Sequence, residues 1–318
     1  MNELFERIIY DAINKKVTDI HFLLKEQAVI KFRLHGTLQI YEIIDYKQMT
    51  KLINYIRFIS KIDLNYYRKP QTGHLLFEQD NRKYNLRISS LMGKDTDSLV
   101  IRILNNHQSL NINNITYDKN IKNYLKSITK LDNGLFVISG ATGSGKSTTL
   151  YAILDSINQQ FKKNIITLED PIEINKDYCL QIELNEKQGI NYKESLKQIL
   201  RHDPDVIMIG EIRDENTARL ALTCALTGHL VLTTIHASDC INTLKRLLNL
   251  QIQKIDLEDV LVGVVSQKLK INSNKDIIIV SEYLSKEDIK DYLNDNRVDY
   301  YDFNQAFRYL KKEGILDE

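Results

Sequence analysis

The chain has 318 residues, enough for two compact cores, since single cores stop growing near about 250–300 residues. Its 43 basic and 42 acidic residues leave a formal charge of +1, which excludes a global field drawing the whole molecule to nucleic acid. Three widely spaced cysteines, Cys179, Cys224 and Cys240, provide neither a disulfide framework nor a C-x-x-C metal site, as expected of a reducing compartment.

The first residues, Met1 to Arg7, include Glu3 and Glu6 where a signal peptide would need basic residues and an apolar run, so export is not expected. No window reaches the roughly 18–20 consecutive apolar residues of a membrane span. Leu4, Phe5, Ile8, Ile9, Ala12 and Ile13 recur at helical spacing. Alternation then predicts strands over 20–24, 28–34 and 37–43, helical periodicity returns over 49–62, and further strands are expected at 75–78, 84–89 and 98–104. Residues 1–105 read as one α+β domain, the polar, asparagine-rich stretch 106–116 as a linker, and 117–318 as a second domain.

In that second domain, apolar segments at 135–139, 165–168, 206–209 and 230–234 alternate with helical stretches, the grammar of a parallel α/β sheet. From about Asp239 onward the chain reads as helices. Ser285 with Asp288 three residues on marks one start, and Asp302 with Gln305 opens a last helix that stops at Gly314.

Between the strand at 135–139 and the helix beginning near Lys146 stands Gly140-Ala141-Thr142-Gly143-Ser144-Gly145-Lys146-Ser147, followed by Thr148. This is the G-x-x-x-x-G-K-[ST] pattern in its expected strand–helix context. Glycines let successive N–H groups converge on a nucleotide's β-phosphate, Lys146 reaches the β and γ oxygens, and the Ser147 hydroxyl joins a Mg²⁺ shell. Glu211 ends the apolar strand that follows Asp205, at the strand edge where α/β sheets bind ligands. A carboxylate there orders Mg²⁺ through water or polarises the attacking water. Glu169, Asp170 and Glu173 close the preceding strand in the same way, with Glu169 the stronger candidate. His229 and His236 bracket the strand at 230–235; position favours His236 for sensing phosphate, while a loop folding back would bring in His229.

Four blocks, GATGSGKSTTLY from Gly140, TLEDPIE from Thr167, DPDVIMIGEIRD from Asp203 and LTGHLVLTTIHASD from Leu226, together resemble the secretion ATPase family of type II secretion and type IV pilus assembly motors. Weaker likeness extends upstream through TDIHF at Thr18, FRLHG at Phe32, NLRISS at Asn85 and LVIRIL at Leu99. The resemblance implies a RecA-like ATPase domain joined by the linker to a PAS-like N-terminal domain, with six chains forming a homo-hexameric ring. It implies ATP and Mg²⁺ as cofactors, with Glu169 and Glu211 positioning Mg²⁺ and water and the two histidines reading the γ-phosphate. Arg87 and Arg102 match arginines that close over the nucleotide, and Arg213 falls on a position suited to an ion pair between elements.

The implied work is assembly of a pilus-like or secretion filament against a polytopic membrane platform protein. The implied location is the cytoplasm, peripheral to the inner face of the cell membrane. The wording of the blocks is similar to assembly rather than retraction ATPases. A short chain without a four-cysteine zinc module resembles the competence branch of Gram-positive bacteria, whose pilus serves DNA uptake. Lys268 stands where members of the family usually carry arginine. No direct nucleic-acid contact is expected, although a DNA-acting RecA-like motor shares the same core. Binding to single-stranded DNA at several salt concentrations separates the two readings.

Overall fold

A computed structural model describes the chain except for residues 35, 67, 68, 81, 105–110, 185–189, 275 and 318. The first half of the expected linker therefore lies outside the described residues. The chain divides into two compact units, Met1–Gln108 and Ser109–Glu318.

The first unit opens with α1 (Asn2–Asn14), whose apolar face buries Phe5, Ile8, Ile9 and Ala12. β1 (Asp19–Leu24), β2 (Ala28–Leu34) and β3 (Thr37–Ile43) follow, then α2 (Tyr46–Ile59), entered through an Asp45 cap that accepts the Gln48 N–H. A short 3₁₀ turn at Leu64–Tyr66 leads to β4 (Gln71–Gln79), β5 (Arg82–Met92) and β6 (Asp97–Leu104). The strands form one antiparallel sheet in the order β3-β2-β1-β6-β5-β4. The strand period of two separates its faces: Ile20, Phe22, Leu99 and Ile101 join the helices in the core, whereas Arg87 and Arg102 stand on the opposite face. Arg57 of α2 is buried and pairs with both carboxylate oxygens of Asp97, at 2.9 and 2.5 Å. Its guanidinium fork is matched by two acceptors, which offsets much of the desolvation cost of a buried charge.

The second unit begins with α3 (Lys119–Ile128), β7 (Gly134–Ser139), α4 (Lys146–Phe161), β8 (Ile165–Glu169) and β9 (Leu180–Glu183). It continues through α5 (Tyr192–Ile199), β10 (Val206–Ile212), α6 (Glu215–Leu226), β11 (Leu230–Ile235), α7 (Cys240–Asn249) and α8 (Lys254–Val260). It closes with β12 (Leu261–Ile271), β13 (Ile277–Ser285), α9 (Lys286–Leu293) and α10 (Phe303–Lys312). The sheet order is β13-β12-β7-β11-β10-β8-β9, parallel except for the edge strand β13. Helices cover both faces of this sheet. β7 and β11 are buried at every position and β10 at most, so they read as continuous apolar runs rather than alternations. The architecture is α/β: a RecA-like unit preceded by a smaller, β-rich unit.

One expectation is corrected. The region after Asp239 is not helical throughout, because β12 and β13 form a long hairpin between α8 and α9. Leu261, Val264 and Val265 are an apolar cluster of a length that fits a core helix as well as a strand; here they pack beside β7 in the centre of the sheet. The expected helix signals on either side do appear. Ser285 and Asp288 form a reciprocal capping box, and Asp302 caps α10 through the Gln305 N–H.

Candidate functional site

The loop from Gly140 to Gly145 leaves the C-terminal end of β7, flanked in the sheet by β11 and β12. Gly140, Gly143 and Gly145 have φ of 151°, 77° and 85°, the left-handed region that glycine enters without steric cost. Space is as restrictive as angle at Gly140, where an added Cβ would lie 2.5 Å from both the Gln267 carbonyl oxygen and Ser144 Oγ. Gln267 Nε2, from β12, donates to the Ser144 carbonyl at 2.6 Å and holds the loop from behind. Ser144 Oγ and Gln267 Oε1 are buried without a partner among the described residues. Sequence reasoning missed Gln267; the available signal was the polar Ser266-Gln267-Lys268 that directly follows the apolar run ending at Val265.

Gly145 is the N-cap of α4 and supplies no side-chain cap, so the first N–H groups of the helix and its dipole face the loop. Lys146, Ser147 and Thr148 occupy that first turn, and Ala141, Thr142 and Gly143 line the loop. Lys146 Nζ donates to the carbonyls of Gly140 and Ala141 at 3.1 and 2.9 Å. Burial lowers the Lys146 pKa, while the negative charges of Glu211 and Glu173 act on it in the opposite sense.

β10 and β11 end beside the loop because they run parallel to β7. Ile235 pairs with Ser139, so His236 follows its strand where Gly140 follows its own. His236 Nε2 lies 3.2 Å from Glu211 Oε2. Arg213 bonds the other oxygen of Glu211, and its Nη1 reaches Asp170 Oδ2 at 2.8 Å. Hydrogen bonds to Glu211 and Asp170 raise the Arg213 pKa. Lys146, Glu211, His236, Arg213, Asp170 and Glu173 thus gather at one edge of the sheet, and Arg213 makes the expected ion pair between elements.

Two candidates stand elsewhere. His229 precedes β11 at the opposite end, roughly 20 Å from His236 along an extended strand. Its Nδ1 lies 3.1 Å from both the Cys224 carbonyl and Thr227 Oγ1, so within this chain it is not brought to the loop. The physical reason is the parallel register, which aligns Leu230 with the start of β7 rather than its end. Glu169 lies on the same strand face as Thr167 and points into the core, 4% exposed. Its Oε1 accepts from Tyr151 Oη at 2.6 Å, Thr167 Oγ1 at 2.7 Å and Gln181 Nε2 at 3.2 Å. Burial raises its pKa despite those bonds. The sequence reading ranked Glu173 below Glu169, yet Glu173 is the one that shares an electrostatic environment with Lys146.

In the first unit Arg102 Nε donates to Asp19 Oδ1 at 2.7 Å, and Arg33 Nε lies 3.7 Å from the other oxygen of Asp19. Arg87 is exposed and registers opposite Arg102. Among the described residues no helix is long and apolar enough to cross a membrane.

The sequence profile of the family described as "Type II/IV secretion system protein" matches residues 1–289. The chain is 36% identical over 270 residues to Competence protein ComGA of Bacillus subtilis, covering 85% of this chain and 76% of that protein. It is 35% identical over 268 residues to the putative type II secretion system protein E of Escherichia coli, of which the match spans 54%. The fold superposes on the pilus retraction motor PilT with bound ADP at a TM-score of 0.80, with 24% identity, covering 98% of this chain and 93% of that one. A phosphate-binding loop set among carboxylates, on a chain matched over this length, makes the protein a member of the type II/IV secretion system protein family and an ATP hydrolase.

Proposed function

We propose that this chain is a Mg²⁺-dependent ATPase that drives assembly of a type IV pilus-like competence pseudopilus. The observation that carries the reading is the gathering of Lys146, Glu211, Glu173 and His236 at the strand edge beside the loop. ATP enters with its phosphates over the N-terminus of α4, where backbone N–H groups from Gly140 to Ser147 receive them. Lys146 exchanges its two carbonyl partners for phosphate oxygens, stronger acceptors that carry full charge.

The donor set fits a hard cation: Ser147 and Glu211 would hold Mg²⁺, which neutralises charge on the β and γ oxygens. Glu173 orients the attacking water, a role that suits an accessible carboxylate in the same field as Lys146 better than the interior Glu169. His236, 3.2 Å from Glu211, couples the γ-phosphate to β11. Arg213 keeps Glu211 and Asp170 together, so that the edge is ordered before the nucleotide arrives.

Arg87 and Arg102 are the phosphate contacts proposed for the first unit, with Asp19 fixing the direction of Arg102. Six chains form the working ring in the cytoplasm, at the inner face of the membrane, against a polytopic platform protein. Relatives named as competence proteins at 36–37% identity favour a DNA-uptake filament over a secretion cargo. Phosphate release by the full chain, measured beside Glu211→Gln while light scattering reports mass, tests the reading. Turnover lost in the variant and a mass near six chains are the expected results; a wild-type monomer with undiminished turnover in Glu211→Gln overturns it.

A further inference from the structure

Residues 170–179, between β8 and β9, form the loop that carries both Asp170 and Glu173. Asp170 is held by Arg213. The backbone just after Glu173 is bonded on two sides by the side chain of Gln181 of β9, which registers opposite Thr167 of β8. Gln181 Nε2 donates to the Ile174 carbonyl at 2.9 Å, and Gln181 Oε1 accepts the Lys176 N–H at 2.7 Å. Only the nitrogen end of an amide can serve the first contact and only the oxygen end the second, so the pair fixes the orientation of the group. The amide therefore clamps the backbone on both sides of Asn175, immediately beyond Glu173.

The clamp is anchored in the interior. Gln181 Nε2 also lies 2.7 Å from Tyr151 Oη and 3.2 Å from Glu169 Oε1, and Tyr151 in turn donates to Glu169 at 2.6 Å. Tyr151 belongs to α4, the helix whose first turn carries Lys146. Asp155, one turn further along α4, accepts from Lys176 Nζ at 2.7 Å and Tyr178 Oη at 2.6 Å. Glu183 Oε2 accepts the Ile172 N–H at 3.2 Å on the near side of Glu173. The loop is thereby tied, before and after Glu173, to β9 and to the helix that presents Lys146.

We propose that Gln181, seated on the Tyr151–Glu169 pair, is a positioning residue that holds the Glu173 loop in register with the phosphate-binding helix. The proposal rests on the reading of Glu173 as the carboxylate that orients water. In this arrangement Glu169 acts through its hydrogen bonds, as the interior post of the clamp. A loop free to move by about 1 Å would lose catalytic geometry and leave the phosphate cradle intact, so the signature is a loss in kcat without a loss in nucleotide affinity.

The test crosses Gln181→Leu with Glu173→Gln in the full chain, reading phosphate release, affinity for a fluorescent ATP analogue, and melting. Gln181→Leu is expected to lower kcat about 10- to 100-fold with affinity within about twofold, and to cost nothing further in the Glu173→Gln background. Gln181→Glu is nearly isosteric and guards against a folding failure. Its carboxylate cannot donate to Ile174, but its protonated form can, so its turnover relative to the wild type should rise as pH falls from about 8 to 6. Equal fractional losses from Gln181→Leu in both backgrounds, or affinity falling in step with turnover, would overturn the positioning role and leave Gln181 a support of the fold. Wild-type turnover in Glu173→Gln would instead remove the reading beneath it, and the clamp with it.

Discussion

Asp19 in the first unit and Glu169 in the second are both buried carboxylates at the end of a strand, 5% and 4% exposed. Burial raises the pKa of each, but their partners differ. Asp19 sits between two guanidiniums, and the Arg102 and Thr18 hydrogen bonds with the charge of Arg102 carry its pKa below the ordinary value. Glu169 meets two hydroxyls and an amide, and burial prevails. Dipoles stabilise a buried anion less than a cation does, so the same chemical group is held ionised in one place and pressed toward its neutral form in the other. Asp19 fixes the direction of Arg102, the arginine proposed above for phosphate, whereas Glu169 is engaged with hydroxyls and an amide of the interior.

Substitutions sharpen or break that contrast. The largest effect belongs to neither carboxylate. Lys146→Ala should lower phosphate release about 100-fold or more, since it removes a fixed charge from the transferring phosphoryl group. His236→Ala should cost about 10- to 100-fold, and His229→Ala distinctly less in the same assay, because only His236 touches Glu211. Parity between the two histidines would mean that the register of β11 does not describe the working state.

Asp19→Asn should destabilise the protein by about 1–2 kcal/mol at neutral pH, read from chemical denaturation. It removes the charge that Arg102 and Arg33 share, and the partly exposed arginines limit the loss. The smallest effects are opposite pH slopes. Asp19 has a depressed folded pKa, so its contribution is present above the unfolded value of 3.8 and is lost as pH falls through the lowered one. Glu169 has a raised folded pKa, so its contribution is present below the unfolded value of 4.5 and is lost as pH rises through the raised one. Melting of Glu169→Gln should therefore gain on the wild type as pH rises above about 4.5, while Asp19→Asn should lose its disadvantage below about pH 3.8. Slopes of the same sign would break the comparison.

Much of this was legible in the sequence, for reasons that locate what was not. The P-loop could be read because its glycines and Lys146 form a local pattern whose strand and helix flank it directly. The parallel strands showed as apolar runs, and the caps at Ser285 and Asp302 serve their own helices. The hairpin of β12 and β13 was missed because an apolar run of that length has no distinguishing period, and its place beside β7 is a long-range fact. That Glu173 rather than Glu169 acts on the charge of Lys146 lay beyond the sequence for a similar reason. Spacing puts several acids after β8, but which one faces the loop depends on strand alternation and on where Gln181 returns the chain. Thr167 and Glu169, two apart, offered a hint that both point inward.

Single-turnover hydrolysis by Glu173→Gln beside Glu169→Gln, each paired with binding of the fluorescent ATP analogue, tests most directly the role proposed for Glu173. Glu173→Gln should bind nucleotide like the wild type and lose about 100-fold or more in the hydrolytic step, while Glu169→Gln keeps the greater part of its rate at pH 7. A Glu169→Gln variant as inactive as Lys146→Ala, beside a Glu173→Gln variant that still hydrolyses ATP at the wild-type rate, would contradict it.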